Sequence, residues 1–210
     1  MTETANPAPP LDETAKAILD AASKRFLHYG YGKTTMSEIA GDCNMSTGNV
    51  YRYYPSKLDI AEAFVRRLRA DQIARLREVI AQPGLGPNDK IRRFFQTKLR
   101  LTFDRFHNRP KAFELSAEIL KERPDFANEW EKAEAAVLVG ILEEGEKTGA
   151  MAVSNRARTA RILQDAAFRF TSSSVFFEGE YDDMSAELDD VLDLILDGFA
   201  HRAGKCAPGD

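Results

Sequence analysis

The sequence predicts an all-α protein, and three observations favour this fold class. Apolar residues recur at steps of three and four positions, which places them on one face of a helix. We find no convincing run with the period-two alternation that is typical of a half-buried strand. Prolines and glycines cluster at a few positions, which then mark helix boundaries. With 210 residues, 43% of them hydrophobic, the chain is long enough to bury a core without disulfides.

Helix start and stop signals divide the chain into nine predicted helices. Thr35 and Glu38 have the spacing of a capping box, Ser46 is a favourable N-cap, and Pro55 suits the start of a long fourth helix. The predicted helices span about residues 12–29, 35–43, 47–53, 56–82, 88–107, 110–123, 124–148, 154–177 and 185–203. The predicted organisation is a disordered, proline-containing arm at residues 1–10, a first domain at 11–57 and a larger helical domain at 58–210.

Charge is distributed unevenly along the chain. The whole protein has a net charge of −4, but the stretch from Ala21 to Arg69 contains eight basic and four acidic residues. The stretch from Glu178 to Asp197 contains nine acidic residues and no basic one. This pattern suggests that only the N-terminal third meets an anionic partner, although a chance fluctuation would look the same.

Several classes of protein find no support in the sequence. No apolar run approaches a membrane span, and the N-terminus does not resemble a secretory signal. The two cysteines, Cys43 and Cys206, lack motif spacing, which favours the cytoplasm. The three histidines lack metal-ligand spacing, and no phosphate-binding glycine loop is present. We therefore expect no enzymatic activity, cofactor, metal or membrane partner.

The stretch from Thr35 to Tyr54 has the properties of a helix-turn-helix motif. Small or apolar residues allow its two short helices to cross closely, and Asn44 tolerates the positive φ that the turn needs. Ser46 caps a second helix whose outer face carries Thr47 and Asn49, short side chains suited to reading bases. The alternative is a compact helical hairpin without a ligand.

Residues 26–65 resemble the N-terminal domain of the TetR family of bacterial transcriptional regulators. The matching positions are Gly30, Thr34, Thr35, Ile39, Ala40, Ser46, Gly48, Tyr51, Tyr54, Ser56, Lys57 and Leu58. The sequence departs from the family at Cys43-Asn44, where Ala-Gly is usual, and at Tyr54, where Phe is frequent. The resemblance implies an all-helical homodimer, with an N-terminal three-helix DNA-binding domain and a larger C-terminal domain for ligand binding and dimerisation.

The resemblance also implies roles for individual residues in the motif. The implied DNA-binding residues are Thr35, Ser46, Thr47, Gly48, Asn49, Tyr51, Tyr54 and Lys57. Among them, the resemblance implies that Tyr51, Tyr54 and Lys57 hold phosphates, and Tyr53 lies with them where phosphates would run. Thr47 and Asn49 would read bases, and Gly48 would allow close approach.

Aromatic residues are frequent in the middle helices, where the family's inducer cavity lies. The resemblance therefore suggests that an apolar or aromatic effector binds at Phe95, Leu99, Phe103, Phe113, Trp130 and Phe168. The alternative is that these residues form an ordinary core. Two apolar stripes near the C-terminus are compatible with the family's intersubunit four-helix bundle, or with packing inside one subunit. The stripe residues are Ile162, Phe170, Leu188, Val191, Leu192, Ile195 and Phe199.

These observations lead to one main hypothesis and one alternative. The main hypothesis is a ligand-responsive repressor that a small molecule releases from a palindromic DNA operator. Its partners would be double-stranded DNA, a small effector and a second copy of the chain. The alternative is a helical ligand-binding adaptor of the same fold that does not bind DNA, and salt-sensitive binding to a duplex separates the two.

Overall fold

A computed structural model describes residues 12–172 and 179–205, which form ten α-helices and no strand. The helices are α1 (Glu13–Tyr29), α2 (Met36–Asp42), α3 (Thr47–Tyr53), α4 (Lys57–Ile80), α5 (Pro87–Phe106), α6 (Pro110–Glu122), α7 (Asp125–Lys147), α8 (Arg156–Ala166), α9 (Phe168–Thr171) and α10 (Tyr181–Lys205). The all-α prediction is confirmed, and the first seven helices lie within about two residues of their predicted bounds. The predicted arm at residues 1–10 and Cys206 lie outside the described residues.

The chain divides into two compact units, Met1–Arg66 and Arg67–Asp210, so the division falls inside α4. In the first unit α1 packs on α2, and α2 packs on α3. The predicted apolar face of α1 is buried, with Ile18, Leu19 and Phe26 fully enclosed. Ile39 of α2 and Val50 of α3 complete the centre of this small core.

The second unit has one continuous hydrophobic core. Residues from α4, α5, α7, α8, α9 and α10 contribute to it, and the fully buried side chains include Leu76, Phe94, Phe95, Leu138 and Leu188. Pro87 and Pro110 occupy the first turns of α5 and α6, where a proline loses no helical hydrogen bond.

The prediction of one continuous helix over residues 154–177 is wrong. It is interrupted at Ala167, whose dihedral angles of −92° and 5° leave the α region. The Thr171 hydroxyl donates to the carbonyl of Ala167 at 2.9 Å, a bond that is known to bend helices. Residues 173–178 lie outside the described part of the chain. In the parts that the structure describes, no helix combines the length and apolar character needed to span a membrane.

Candidate nucleic-acid interface

The start of α2 is closed by the predicted capping box. The Thr35 hydroxyl accepts a hydrogen bond from the Glu38 backbone N–H at 3.3 Å and donates to Glu38 Oε2 at 2.8 Å. Glu38 Oε2 also accepts from the Thr35 N–H at 2.8 Å. Thr35 is exposed, but its hydroxyl already serves the helix end, so any contribution to DNA binding competes with this cap.

The turn between α2 and α3 depends on Asn44. Its φ of 53° lies in the left-handed region, as predicted from the sequence. The turn is closed by the Met45 N–H, which donates to the Ala40 carbonyl at 3.0 Å. Ser46 then caps α3, its hydroxyl oxygen accepting from the Asn49 N–H at 3.2 Å.

The outward surface of α3 is formed by Gly48, Tyr51 and Arg52, which are exposed, while Val50 points into the core. Thr47 and Asn49 are half-buried at its edges. The Asn49 side-chain amide makes a weak contact with the Met45 sulfur at 3.7 Å. A Cβ added at Gly48 would meet no atom within 4 Å, so nothing in the described residues requires glycine at this position.

The position of Tyr54 contradicts the expectation that this residue holds a phosphate. Its side chain is 7% exposed, and its hydroxyl donates to the Ala15 carbonyl of α1 at 3.3 Å. Tyr54 therefore anchors the end of α3 to α1. Sequence reasoning could have found this, because Tyr54 lies one helical turn after the core residue Val50. The same spacing directs Arg52 outwards, and Arg52 was not among the predicted DNA-binding residues.

Lys57 has a structural partner as well as a charge. Its ammonium group donates to the carbonyls of Tyr31 and Thr34, both at 2.8 Å, and lies 4.2 Å from the centre of the Tyr31 ring. Lys57 thus ties the loop between α1 and α2 to the start of α4, and its positive charge is held at this edge of the first unit.

Arg25 connects α1 to α2 through two carboxylates. Its guanidinium donates to Asp42 at 2.5 and 2.9 Å and lies 3.3 Å from Glu38. The hydrogen bond from Arg25 holds the pKa of Asp42 below its usual value. The hydrogen bonds from Thr35, followed by the charge of Arg25, lower the pKa of Glu38. Because the charge of Arg25 is matched in this way, the exposed basic side chains Lys24, Lys33 and Arg52 are better placed to meet phosphates.

The predicted effector residues do not share one environment. Phe95 and Leu99 are fully buried in the hydrophobic core of the second unit. Phe103 and Trp130 are half-buried against that core, and Phe113 is half-buried on α6. Phe168 is 49% exposed, which corrects its assignment to an enclosed apolar site.

A buried polar network in the second unit was not predicted. Glu134 of α7 accepts from Lys98 of α5 at 2.6 Å and from Gln72 of α4 at 3.0 Å. The amide oxygen of Gln72 accepts from Arg105 at 3.2 Å. No short motif signals this network, since its members lie 33 to 62 residues apart in the chain.

The predicted dimerisation residues fall into two groups. Phe170, Leu188, Leu192 and Phe199 are buried in the core of their own subunit, which corrects their assignment to an intersubunit surface. The stripe on α10 continues through Met184 and Leu196, which are buried in the same core. Ile162 is exposed, and Val191 and Ile195 are half-buried. Leu194, which was not predicted, is 77% exposed beside them on α10.

Comparisons with known proteins agree with this arrangement. Residues 18–64 match the model of bacterial regulatory proteins of the tetR family, and residues 87–192 match the model of the tetracyclin repressor-like C-terminal domain. The HTH-type transcriptional repressor KstR2 of Rhodococcus jostii (strain RHA1) is 24% identical over 201 residues, which cover 91% of this chain and 97% of that protein. The fatty acid metabolism regulator protein of Bacillus subtilis (strain 168) is 25% identical over 187 residues, covering 88% and 95%.

A solved structure extends the comparison to the fold. The transcriptional regulator from Cytophaga hutchinsonii ATCC 33406 has a TM-score of 0.68 and 23% identity, over 90% of this chain and 100% of that chain. Together, the two family models cover both the helix-turn-helix motif and most of the second unit. The chain belongs to the TetR family and is a DNA-binding regulator of transcription, in a family of regulators rather than enzymes.

Proposed function

We propose that the chain is a ligand-responsive repressor that binds a palindromic operator as a dimer and leaves it when a small apolar molecule binds the second unit. The observation that carries the DNA-binding part is the surface of α3. Gly48 leaves it open to close approach, and Tyr51 and Arg52 flank that opening on the exposed side. A duplex is the kind of partner that needs both a bare backbone and flanking side chains for phosphates.

Within this proposal, Thr47 and Asn49 read base edges from the first turn of α3. Asparagine suits adenine, because its amide can donate and accept at the same base. Tyr51 and Lys57 hold phosphates, and the exposed Arg52 and the half-buried Tyr53 are added to that group in place of Tyr54.

The dimer is proposed to form through the outward surface of the C-terminal helices. Leu194 and Ile162 are 77% and 51% exposed, and large apolar side chains in such positions favour burial against a partner. Val191 and Ile195 lie one turn or less from Leu194 on α10 and extend its apolar surface. A two-fold dimer presents two copies of α3, which favours an operator with inverted half-sites about 34 Å apart.

Release by an effector is proposed to pass through α4. This helix begins in the first unit at Lys57 and ends in the second at Ile80, so a ligand that changes its position would affect both units. The coupling free energy is expected at about 1–3 kcal/mol, and bound DNA must weaken the effector by the same factor. One relative is named a fatty acid metabolism regulator, which supports an apolar effector.

The test is selection of bound duplexes from a random pool, followed by affinity measurements at several salt concentrations with the Gly48→Ala variant. We expect an inverted-repeat sequence and a strong dependence on salt. Gly48→Ala should weaken the selected duplex by about tenfold or more. Its free energy of unfolding should stay equal or rise by about 0.5–1 kcal/mol, because alanine is the better helix former.

Gly41→Ala is the matched control, since Gly41 is an exposed helical glycine that also has no atom within 4 Å of an added Cβ. We expect this control to bind DNA as the natural chain does. Failure to enrich any duplex, together with salt-insensitive binding, would favour the adaptor that does not bind DNA.

A further inference from the structure

The buried polar network in the second unit contains more positive than negative charge. Lys98 and Glu134 form its one buried ion pair, at 2.6 Å, with both side chains less than a tenth exposed. Arg105 reaches the network through the neutral oxygen of Gln72, and Arg69 interacts electrostatically with Glu134. Glu134 is the buried carboxylate of this network, and the exposed Asp71 also attracts Arg105, so three cations face two carboxylates.

Other positively charged side chains of the same unit have carboxylate partners of their own. Lys90 pairs with Glu144 at 2.6 Å, and Arg92 pairs with both Asp189 and Asp193 of α10. These pairs lie nearer the surface, where an unmatched charge would cost little because water solvates it. Lys98 is buried and Arg69 and Arg105 are half-buried, so water solvates the excess charge of the network less than it solvates an exposed cation.

Both arginines of the network have lowered pKa values. Burial, followed by the nearby charge of Arg69, lowers the pKa of Arg105 to about 10, although Asp71 and Glu134 oppose the shift. Burial also lowers the pKa of Arg69. Both directions mean that the charged form is less favoured in the folded protein than in water. A bound anion would reverse this, because an opposite charge favours the protonated guanidinium.

An unpaired hydrogen-bond donor lies on the same helix as Glu134. Trp130 precedes Glu134 by four residues on α7, so the two side chains share a helix face. The Trp130 indole nitrogen is buried and has no acceptor among the described residues. An unmade bond of this kind is unfavourable, and buried donors normally have a partner.

From these observations we propose that Arg69, Lys98 and Arg105 form a subsite for the acidic group of the effector, a carboxylate or a phosphate attached to an apolar body. The apolar body would lie against Trp130, which packs on the hydrophobic core one turn before Glu134. The inference rests on the proposed function, because it names the chemical class of the effector. It also departs from the sequence prediction, in which the effector is described only as apolar or aromatic.

The first test compares acids with uncharged analogues of the same shape. Straight-chain acids of about six to sixteen carbons and 2-naphthoic acid are titrated into the full-length protein, each beside its primary amide, and decyl phosphate is compared with decanoate. We expect at least one acid to bind tenfold or more tightly than its amide, because the amide carries no charge for the arginines to meet. Amides that bind as tightly as their acids, or a set in which no acid binds, would overturn the proposal.

The second test removes one cation at a time. Arg105→Met should abolish the preference for acid over amide and raise the melting temperature of the free protein by about 2–4 °C, since a disfavoured buried charge is lost. Arg69→Met should act in the same direction and serves as the second variant. Arg93→Met, at an exposed position on α5, is the control and should change neither quantity. If Arg105→Met and Arg69→Met lower the melting temperature and leave acid binding unchanged, the network is structural and the proposal fails.

The two proposals fail separately. An acid that binds in an Arg105-dependent way but leaves the selected duplex bound would contradict the proposed release mechanism and leave the anion subsite standing. Release of the duplex by an amide as effectively as by its acid would contradict the subsite and leave the ligand-responsive repressor standing.

Discussion

The capping hydrogen bonds of the helix-turn-helix motif join residues that are close in the chain. Those of the polar network in the second unit join residues that are far apart in the chain. In the motif, Thr35 pairs with Glu38 and Ser46 with Asn49, both over three residues. In the second unit, Glu134 finds Lys98 over 36 residues and Gln72 over 62. The caps of the motif join neighbours along the helix, whereas the hydrogen bonds of the network form only after the helices pack.

The two regions also differ in whether they leave a helix surface exposed or hold their polar side chains against a core. The motif keeps its polar partners at the helix ends, which leaves the surface of α3 at Gly48 and Tyr51 open for a ligand as large as a duplex. The second unit holds its polar network against a core, where we propose that it meets a small molecule.

Removing the buried carboxylate should be the most damaging change. Glu134→Ala leaves Lys98 and two arginines without a buried counter-charge, so we expect the free energy of unfolding to fall by about 3–5 kcal/mol in chemical denaturation. Glu131→Ala, which removes an exposed carboxylate one turn earlier on α7, should change stability by less than about 0.5 kcal/mol. Equal effects of the two substitutions would show that burial does not govern the network.

Two leucines of α10 should separate folding from dimerisation. Leu192 is 1% exposed and packs in its own subunit, so Leu192→Glu should unfold the second unit by burying an unpaired charge, at a cost of about 3 kcal/mol or more. Leu194→Glu, at the neighbouring outward position, should leave the melting temperature nearly unchanged and convert the dimer to a monomer in light scattering. A Leu194→Glu variant that remains dimeric and binds DNA normally would place the dimer interface elsewhere.

Asn49 and Lys57 should affect DNA binding in different ways. Asn49→Ala should lower discrimination at one base pair by about 1–3 kcal/mol with little loss of stability, because the Asn49 amide is held within the protein by a weak contact with the Met45 sulfur. Lys57→Ala should weaken all duplexes about equally and also lower stability by about 1–3 kcal/mol, since two carbonyls lose their donor. Measurements on single-base variants of the selected duplex distinguish the two, with Lys16→Ala on α1 as the exposed control. An unchanged sequence preference in Asn49→Ala would remove Asn49 from the base-reading group.

The smallest expected effect is that of low pH on the contact between α1 and α2. The pKa values of Asp42 and Glu38 are lowered in the folded protein, so their stabilising contribution is present above the unfolded values near pH 4 and is lost as the pH falls through the folded values. We expect amide hydrogens at the contact of α1 and α2 to exchange faster below about pH 4, relative to intrinsic rates. Arg25→Met should make this contact less sensitive to pH, whereas Arg75→Met, at an exposed pair of the second unit, should not. A pH dependence that Arg25→Met leaves intact would assign the acid sensitivity to other groups.

The sequence by itself determined the helices and the reading motif. The all-α class, the capping box at Thr35, the left-handed turn at Asn44 and the cap at Ser46 all follow from residues within four positions of one another. Interactions this close in the chain depend on helix geometry alone, which is the same in any protein. For that reason the boundaries of α1 to α7 could be predicted within about two residues.

The tertiary structure decided which apolar and charged residues face each other. Helix α10 has one stripe through Leu188 and Leu192 and another through Val191 and Leu194, and periodicity shows both without indicating which faces the core. The burial of Tyr54 against α1 is a contact over 39 residues. The charged network around Glu134 likewise depends on which helices pack together. Its charged side chains prefer one another to water only where packing has excluded water.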